Sequence, residues 1–212
     1  MSDHAPAEAH ELDQRAVAAV LRDAVAALEE AGTPYLLIGG LASAVLGRPR
    51  FTADIDLFVR REDARGVLEA LADAGFETEE TNPEWIYKAE KDGITVDVIF
   101  WLKGDIYVDD EMLARAREAE FGGVQVRVIP PEDLIVIKAV VHDEQTARHW
   151  HDALGLIADS PDLDWDYLVE RARHGARRVL SLLIYAQSND LIVSDEPIRK
   201  LFESLYESDS RG

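Results

Sequence analysis

"LLIGGLASAVLGRPRFTADIDLFV", residues 36–59, decides how the rest of the chain is read. It opens as a short apolar strand and ends on Gly39-Gly40. "LASAVLG" then reads as a short helix, and "DIDLFVR" as the next strand. Strand side chains alternate faces, so Asp54 and Asp56 share one face while Ile55, Leu57 and Val59 share the other. Asp is a poor strand former, and a carboxylate buried without a partner is costly. Taken alone, a D-x-D reads equally as an exposed strand end.

The same design recurs downstream. "EWIYKAEKDGITVDVIFW" reads as a hairpin turning at Asp92-Gly93, a strong two-residue turn signal. In its second strand Val96, Val98 and Phe100 share one face and Asp97 lies on the other. If the strands are neighbours, three carboxylates converge. Their mutual repulsion calls for a divalent cation, and Mg²⁺ or Mn²⁺ suits carboxylate oxygen and substrate phosphate. That chemistry is phosphoryl or nucleotidyl transfer. Glycines between a strand and a helix let a backbone approach a phosphate, although a Gly-Gly pair also serves as a plain tight turn. Ser43, in the first turn of that helix, is placed to donate to a phosphate oxygen. Arg50 reads either as a phosphate contact or as a surface ion pair.

Outward from this stretch, residues 1–12 read as a flexible tail. Val17, Val20, Leu21, Ala24, Val25 and Leu28 have helical spacing, ending near Gly32 and Pro34. "REDARGVLEALADAGF" is a further helix, and residues 124–129 a strand. After Pro130-Pro131 the pattern turns helical, first in "PEDLIVIKAVVHD" and then over about 144–158, 164–174, 176–187 and 195–207. The expectation is an α/β fold: a core over 13–130, with a mixed sheet and flanking helices, and a C-terminal helical domain over 131–212.

The chain has 212 residues, 47% hydrophobic, enough for a sizeable core. It has no Cys, which excludes disulfides and thiolate metal sites. No apolar run is long enough for a membrane span, and the polar N-terminus is unlike a signal peptide, so a cytoplasmic, soluble protein is expected. The formal charge of −20 counts against general duplex binding and favours cationic substrates or Mg²⁺. Within it, Arg171, Arg173, Arg177 and Arg178 form one basic run, either a nucleic-acid footprint or a solvated helix face. His149 and His151, two apart, cannot share a helix face for a metal, whereas His142 and His149, seven apart, could, with ordinary helix polarity as the plainer reading.

The order strand, Gly-Gly, helix, D-x-D strand and later Asp resembles the nucleotidyltransferase superfamily that includes DNA polymerase β and the kanamycin and lincosamide nucleotidyltransferases. The matching residues are Gly39, Gly40, Asp54, Asp56 and Asp97. The fuller pattern adds Ala42, Gly47, Arg50, Thr52, Ile55 and Leu57, and it looks like the bacterial abortive-infection-type nucleotidyltransferases, toxin halves of type IV-like toxin–antitoxin pairs. "PEDLI-x-x-K", Pro131 to Lys138, also matches. In the "KD-x-x-D" element that follows, Asp152 matches the last Asp, Arg148 stands for the Lys, and His149 replaces the first Asp.

The resemblance implies that Asp54, Asp56 and Asp97 hold metal. Asp97 would also activate the acceptor, and Gly39, Gly40 and Ser43 would cradle the phosphates of an NTP. Arg50, Thr52, Lys138 and Asp152 would line the nucleotide site. Lys138 reads equally as a lysine snorkelling from an apolar helix, and Asp152 as a helix-surface charge. The acceptor would be tRNA, in a toxin paired with an antitoxin protein, or a small molecule such as an aminoglycoside. A non-catalytic nucleotide-binding module is the remaining alternative.

Overall fold

The computed structural model describes residues 5–47 and 52–206, with side chains from residue 14 onward. The elements run α1 (Ala5–Glu30), β1 (Tyr35–Leu37), α2 (Gly39–Leu46), β2 (Ile55–Val59), α3 (Ala64–Asp73), β3 (Glu77–Asn82), β4 (Ile86–Lys91), β5 (Ile94–Ile99), α4 (Asp110–Ala114), β6 (Arg117–Phe121) and β7 (Val124–Val128). Then come α5 (Pro131–Val141), α6 (Arg148–Asp159), α7 (Trp165–Arg171), a 3₁₀ turn (Ala172–His174), α8 (Ala176–Ser188) and α9 (Asp195–Tyr206). The chain forms two compact units. Unit 1 holds the sheet and its helices, and unit 2 holds α5 to α9 together with Leu102–Ile106.

Unit 1 is built on one seven-stranded mixed sheet in the order β3-β4-β5-β2-β1-β7-β6. β2 lies parallel to β5 and antiparallel to β1, and β1 lies parallel to β7. α1 and α3 pack on each other and on the sheet. Val17, Leu21, Ala24 and Leu28 of α1 and Val67 and Leu71 of α3 are buried, as the spacing predicts. β2 is apolar because the sheet is covered on both sides here: Ile55, Leu57, Phe58 and Val59 are fully buried.

Two expectations change, and two strands form that the sequence reading did not assign. Residues 5–12, expected as a tail, belong to α1, whose opening "APAEAHELDQ" is rich in strong helix formers. β3 and β6 are the two edge strands. Their sequences, "ETEETN" and "REAEF", are polar and charged in alternate or adjacent positions, as suits an edge that must not recruit another strand. The helix expected from 144 starts only at Arg148, because the Asp143 carboxylate accepts from the Thr146 and Gln145 amides and closes a turn there.

Unit 2 is helical. α5 is its axis, buried from Pro131 to Val140, and α6, α7 and α8 all pack on it. Among the described residues no helix is long and apolar enough to cross a membrane.

Candidate functional site

The site in unit 1 grows from strand register. Asp56 on β2 stands opposite Asp97 on β5, and Asp97 stands opposite Lys88 on β4. Side chains in register on neighbouring strands share a face, so Lys88, Asp97 and Asp56 form a row across three strands. Lys88 Nζ donates to Asp97 Oδ1 at 2.6 Å, with the two side chains 41% and 18% exposed. Asp54 lies one residue before β2 and is exposed, while Asp56 is half-buried.

The Gly-Gly turn closes over this row. Gly39 starts α2 at φ +68°, in the left-handed region that glycine enters without strain. A methyl group on Gly39 would stand 1.8 Å from Asp56 Oδ2 and 2.5 Å from its Cγ. The backbone therefore touches the carboxylate, and only hydrogen fits between them. The Ile38 amide donates to the Asp56 carbonyl at 3.0 Å, which ties the turn to β2. The Ser43 hydroxyl, buried, donates to the Gly39 carbonyl at 2.8 Å, so in this structure it braces the turn. Gly40 is buried within α2, and Thr52 is half-buried before β2. Arg50 lies outside the described residues.

The structure thus brings Gly39, Ser43, Asp56 and Asp97 around the C-terminal end of β1, the start of β2 and the middle of β5. Among the described residues, no three His, Asp or Glu side chains are gathered closely enough to hold a metal ion. The Asp97 carboxylate is instead bonded to an ammonium. The donor set still has the chemistry a hard cation requires: Asp54 and Asp56 offer carboxylate oxygens at an accessible strand end, beside a turn a Cβ would block. Lys88 is the residue that sequence reasoning missed, although counting back from the Asp92-Gly93 turn pairs it with Asp97.

Lys138 and Asp152 belong to unit 2. Lys138 Nζ donates to Asp152 Oδ2 at 2.7 Å, and each side chain is only 3% exposed. A direct nucleotide contact from either requires this buried pair to become accessible. The other polar residues of "PEDLI-x-x-K" are also engaged. Glu132 accepts from the Asp164 amide at the start of α7. Asp133 accepts from Tyr167 Oη and from Arg171 Nε, each at 2.6 Å. The motif fastens α5 to α6 and α7. Next to it, burial pushes the His149 imidazole below its ordinary value, and the Lys138 charge adds to the shift. His142 stacks near Trp150 with ring centres 4.9 Å apart, and His151 is exposed.

The basic run divides. Arg171 is buried against Asp133, whereas Arg173, Arg177 and Arg178 are exposed and line an open cavity with Lys103 and His174.

Residues 17–207 match the family model described as nucleotidyl transferase of unknown function (DUF2204). No curated protein matches the chain. Among solved structures the chain is similar to an antigenic nucleotidyltransferase-like protein from Paracoccidioides brasiliensis, 15% identical over 92% of this chain and 97% of that one, with a TM-score of 0.53. It is also similar to the antibiotic-resistance factor ANT(2'')-Ia, 23% identical over 81% and 91% of the two chains, with a TM-score of 0.48. A third similar structure is the lincosamide antibiotic adenylyltransferase LnuA, 16% identical over 61% and 90%, with a TM-score of 0.45.

Proposed function

The chain belongs to the nucleotidyl transferase family DUF2204, and from that membership we propose that the Asp54, Asp56 and Asp97 end of the sheet moves a nucleoside monophosphate from an NTP to an acceptor hydroxyl. The observation that carries the assignment is the contact of the Gly39 backbone with Asp56, one strand from Asp97. An apolar strand has no packing reason to place an acid under a left-handed glycine at its start.

In this reading Asp54 and Asp56 hold Mg²⁺ or Mn²⁺, which when bound offsets the charge of the phosphates. The Gly39-Gly40 turn gives the triphosphate close access to backbone, with Ser43 keeping the turn in shape. Thr52 and Arg50 flank the same strand end in sequence. The acceptor oxygen bonds to the α-phosphorus, the α–β bridging P–O bond breaks, and pyrophosphate leaves. Asp97 takes the acceptor proton. Its Oδ1 already accepts from Lys88, so Oδ2 is the receiving atom and Lys88 fixes its aim. Lys138 and Asp152 serve by holding α5 to α6.

The charge of −20 favours a cationic small molecule as acceptor. The second reading, tRNA in a toxin role with an antitoxin protein as partner, draws on the cations around the unit 2 cavity. The test is incubation with each α-labelled NTP, Mg²⁺, and either total tRNA or an aminoglycoside panel. Label transfer that disappears in Asp54→Ala/Asp56→Ala is the expected result. Transfer that survives the double change removes the metal assignment.

A further inference from the structure

Unit 2 carries an open cavity of about 470 Å³ with a cationic lining. Lys103, Arg173, Arg177 and Arg178 surround it, with His174 beside them and no Asp or Glu among the described lining residues. We infer that this cavity binds a phosphate group, carried either by a free polyphosphate or by a nucleic-acid strand.

The gathering is built by the fold and does not follow from sequence alone. Lys103 lies some seventy positions before the arginines and reaches them through a short turn, closed by paired Leu102 and Ile106. His174 Nδ1 meets the Gly104 carbonyl at 2.9 Å and pins that turn to the start of α8. The approach is tight. Gly104 has φ +89°, and a methyl group there would stand 2.5 Å from the His174 carbonyl oxygen. A methyl group on Gly175 would stand 2.5 Å from Val140 Cγ2. Two glycines are therefore needed to bring these segments together, and the consequence is Lys103 beside three arginines.

Like charges gathered in one lining repel, and no described acid of the chain's 42 lines the cavity to neutralise them. Among the described residues Arg173 is tied to the exposed Glu170 outside the cavity, through its carbonyl at 3.4 Å and its carboxylate at 3.6 Å. Arg178 donates to the His142 carbonyl, and Arg177 lies 5.9 Å from the centre of the Tyr206 ring. Each such contact occupies a small part of a guanidinium with five N–H donors. The remaining donors form forks that match phosphate oxygens in pairs. The first turn of α8 adds partial positive charge at the same wall. The volume exceeds one phosphate and admits the nucleotide or chain attached to it.

The test is direct binding in EDTA, so that metal-dependent NTP binding at Asp54 and Asp56 is not read. Wild-type protein is titrated with tripolyphosphate by calorimetry and with a fluorescein-labelled single-stranded RNA by anisotropy. Lys103→Gln/Arg177→Gln changes only exposed side chains. It is expected to weaken binding by about 10-fold or more with an unchanged melting temperature, and to flatten the salt dependence by about one log unit per lost phosphate contact. Asp54→Ala/Asp56→Ala is expected to bind as wild type, so failure here and failure of the transferase reading are separable. Tripolyphosphate that RNA cannot displace assigns the cavity to a free polyphosphate, and displacement by RNA assigns it to a strand. Absence of binding by both probes, or binding that the Gln variant leaves unchanged, overturns the inference.

Discussion

Gly39→Ala isolates the contact on which the site assignment rests. The new methyl group would lie 1.8 Å from Asp56 Oδ2, where ordinary contact begins near 3.4 Å, so about 1.6 Å of separation must be found. The turn cannot easily retreat, because the Ile38 amide is bonded to the Asp56 carbonyl and the Ser43 hydroxyl to the Gly39 carbonyl. The Asp56 side chain must therefore swing away. A displacement of about 1 Å in a reacting constellation costs about 100-fold in rate. The left-handed backbone adds about 1–2 kcal/mol for any residue with a Cβ. For a chain of this length that lowers the melting temperature by about 2–8 °C.

Gly93→Ala is the matched control. Gly93 has φ +76° at the β4–β5 turn and nothing within 4 Å of an added methyl group. It carries the same backbone strain far from any carboxylate contact. Melting followed by circular dichroism, and transfer rate at saturating NTP, separate the two effects; calorimetric Mg·NTP binding serves until the acceptor is known. The expected pattern is a similar thermal loss in both variants, with activity lost only in Gly39→Ala. Equal activity in the two variants would refute the reasoning.

Further outcomes follow from the other pairs. Lys138→Met removes the ammonium from the buried Asp152, and is expected to cost about 3–5 kcal/mol in denaturant unfolding, with Lys138→Met/Asp152→Leu costing less; unchanged stability in the single variant would mark Lys138 as a ligand contact only. Lys88→Met frees Asp97 Oδ1 and is expected to lower kcat about 10-fold with little change in KM for NTP, because a charged hydrogen bond of this kind contributes about 1.5 kcal/mol. A change in KM alone would place Lys88 on the nucleotide instead. Burial lowers the His149 imidazole pKa in the fold, so its contribution to stability is full above the unfolded value near 6.5 and is lost as pH falls through the folded value below it. His149→Gln is expected to flatten that decline below about pH 6.5; parallel slopes for the two proteins would rule out His149 as its source.

What could be read from residues was what alternates or turns. The period-2 pattern placed Asp56 and Asp97 on one face of their strands, and Asp92-Gly93, both at positive φ, fixed the hairpin between them. That turn also fixes Lys88 opposite Asp97, a pairing available to anyone who counts outward from it. β3 and β6 stayed hidden because edge strands are written in charged residues that imitate loops, although Gly122-Gly123, also at positive φ, marks the turn after β6. Lys138 was ambiguous for another reason. A lysine on an apolar helix has the same local signature whether it reaches solvent, a phosphate or a buried Asp152, and only packing across two helices decides. The division of the arginine run was hidden likewise, since Asp133 and Lys103 are distant in sequence from the residues they meet or join.

The central claim is nucleotidyl transfer, and the fate of two labels tests it most directly. ATP, or whichever NTP the acceptor panel selects, is supplied in parallel with ³²P at the α or at the γ position. The expected result is α-label on the acceptor and γ-label in pyrophosphate, with both products absent in Asp54→Ala/Asp56→Ala. Gamma-label on the acceptor, with nucleoside diphosphate released, would contradict the claim and make the chain a phosphotransferase.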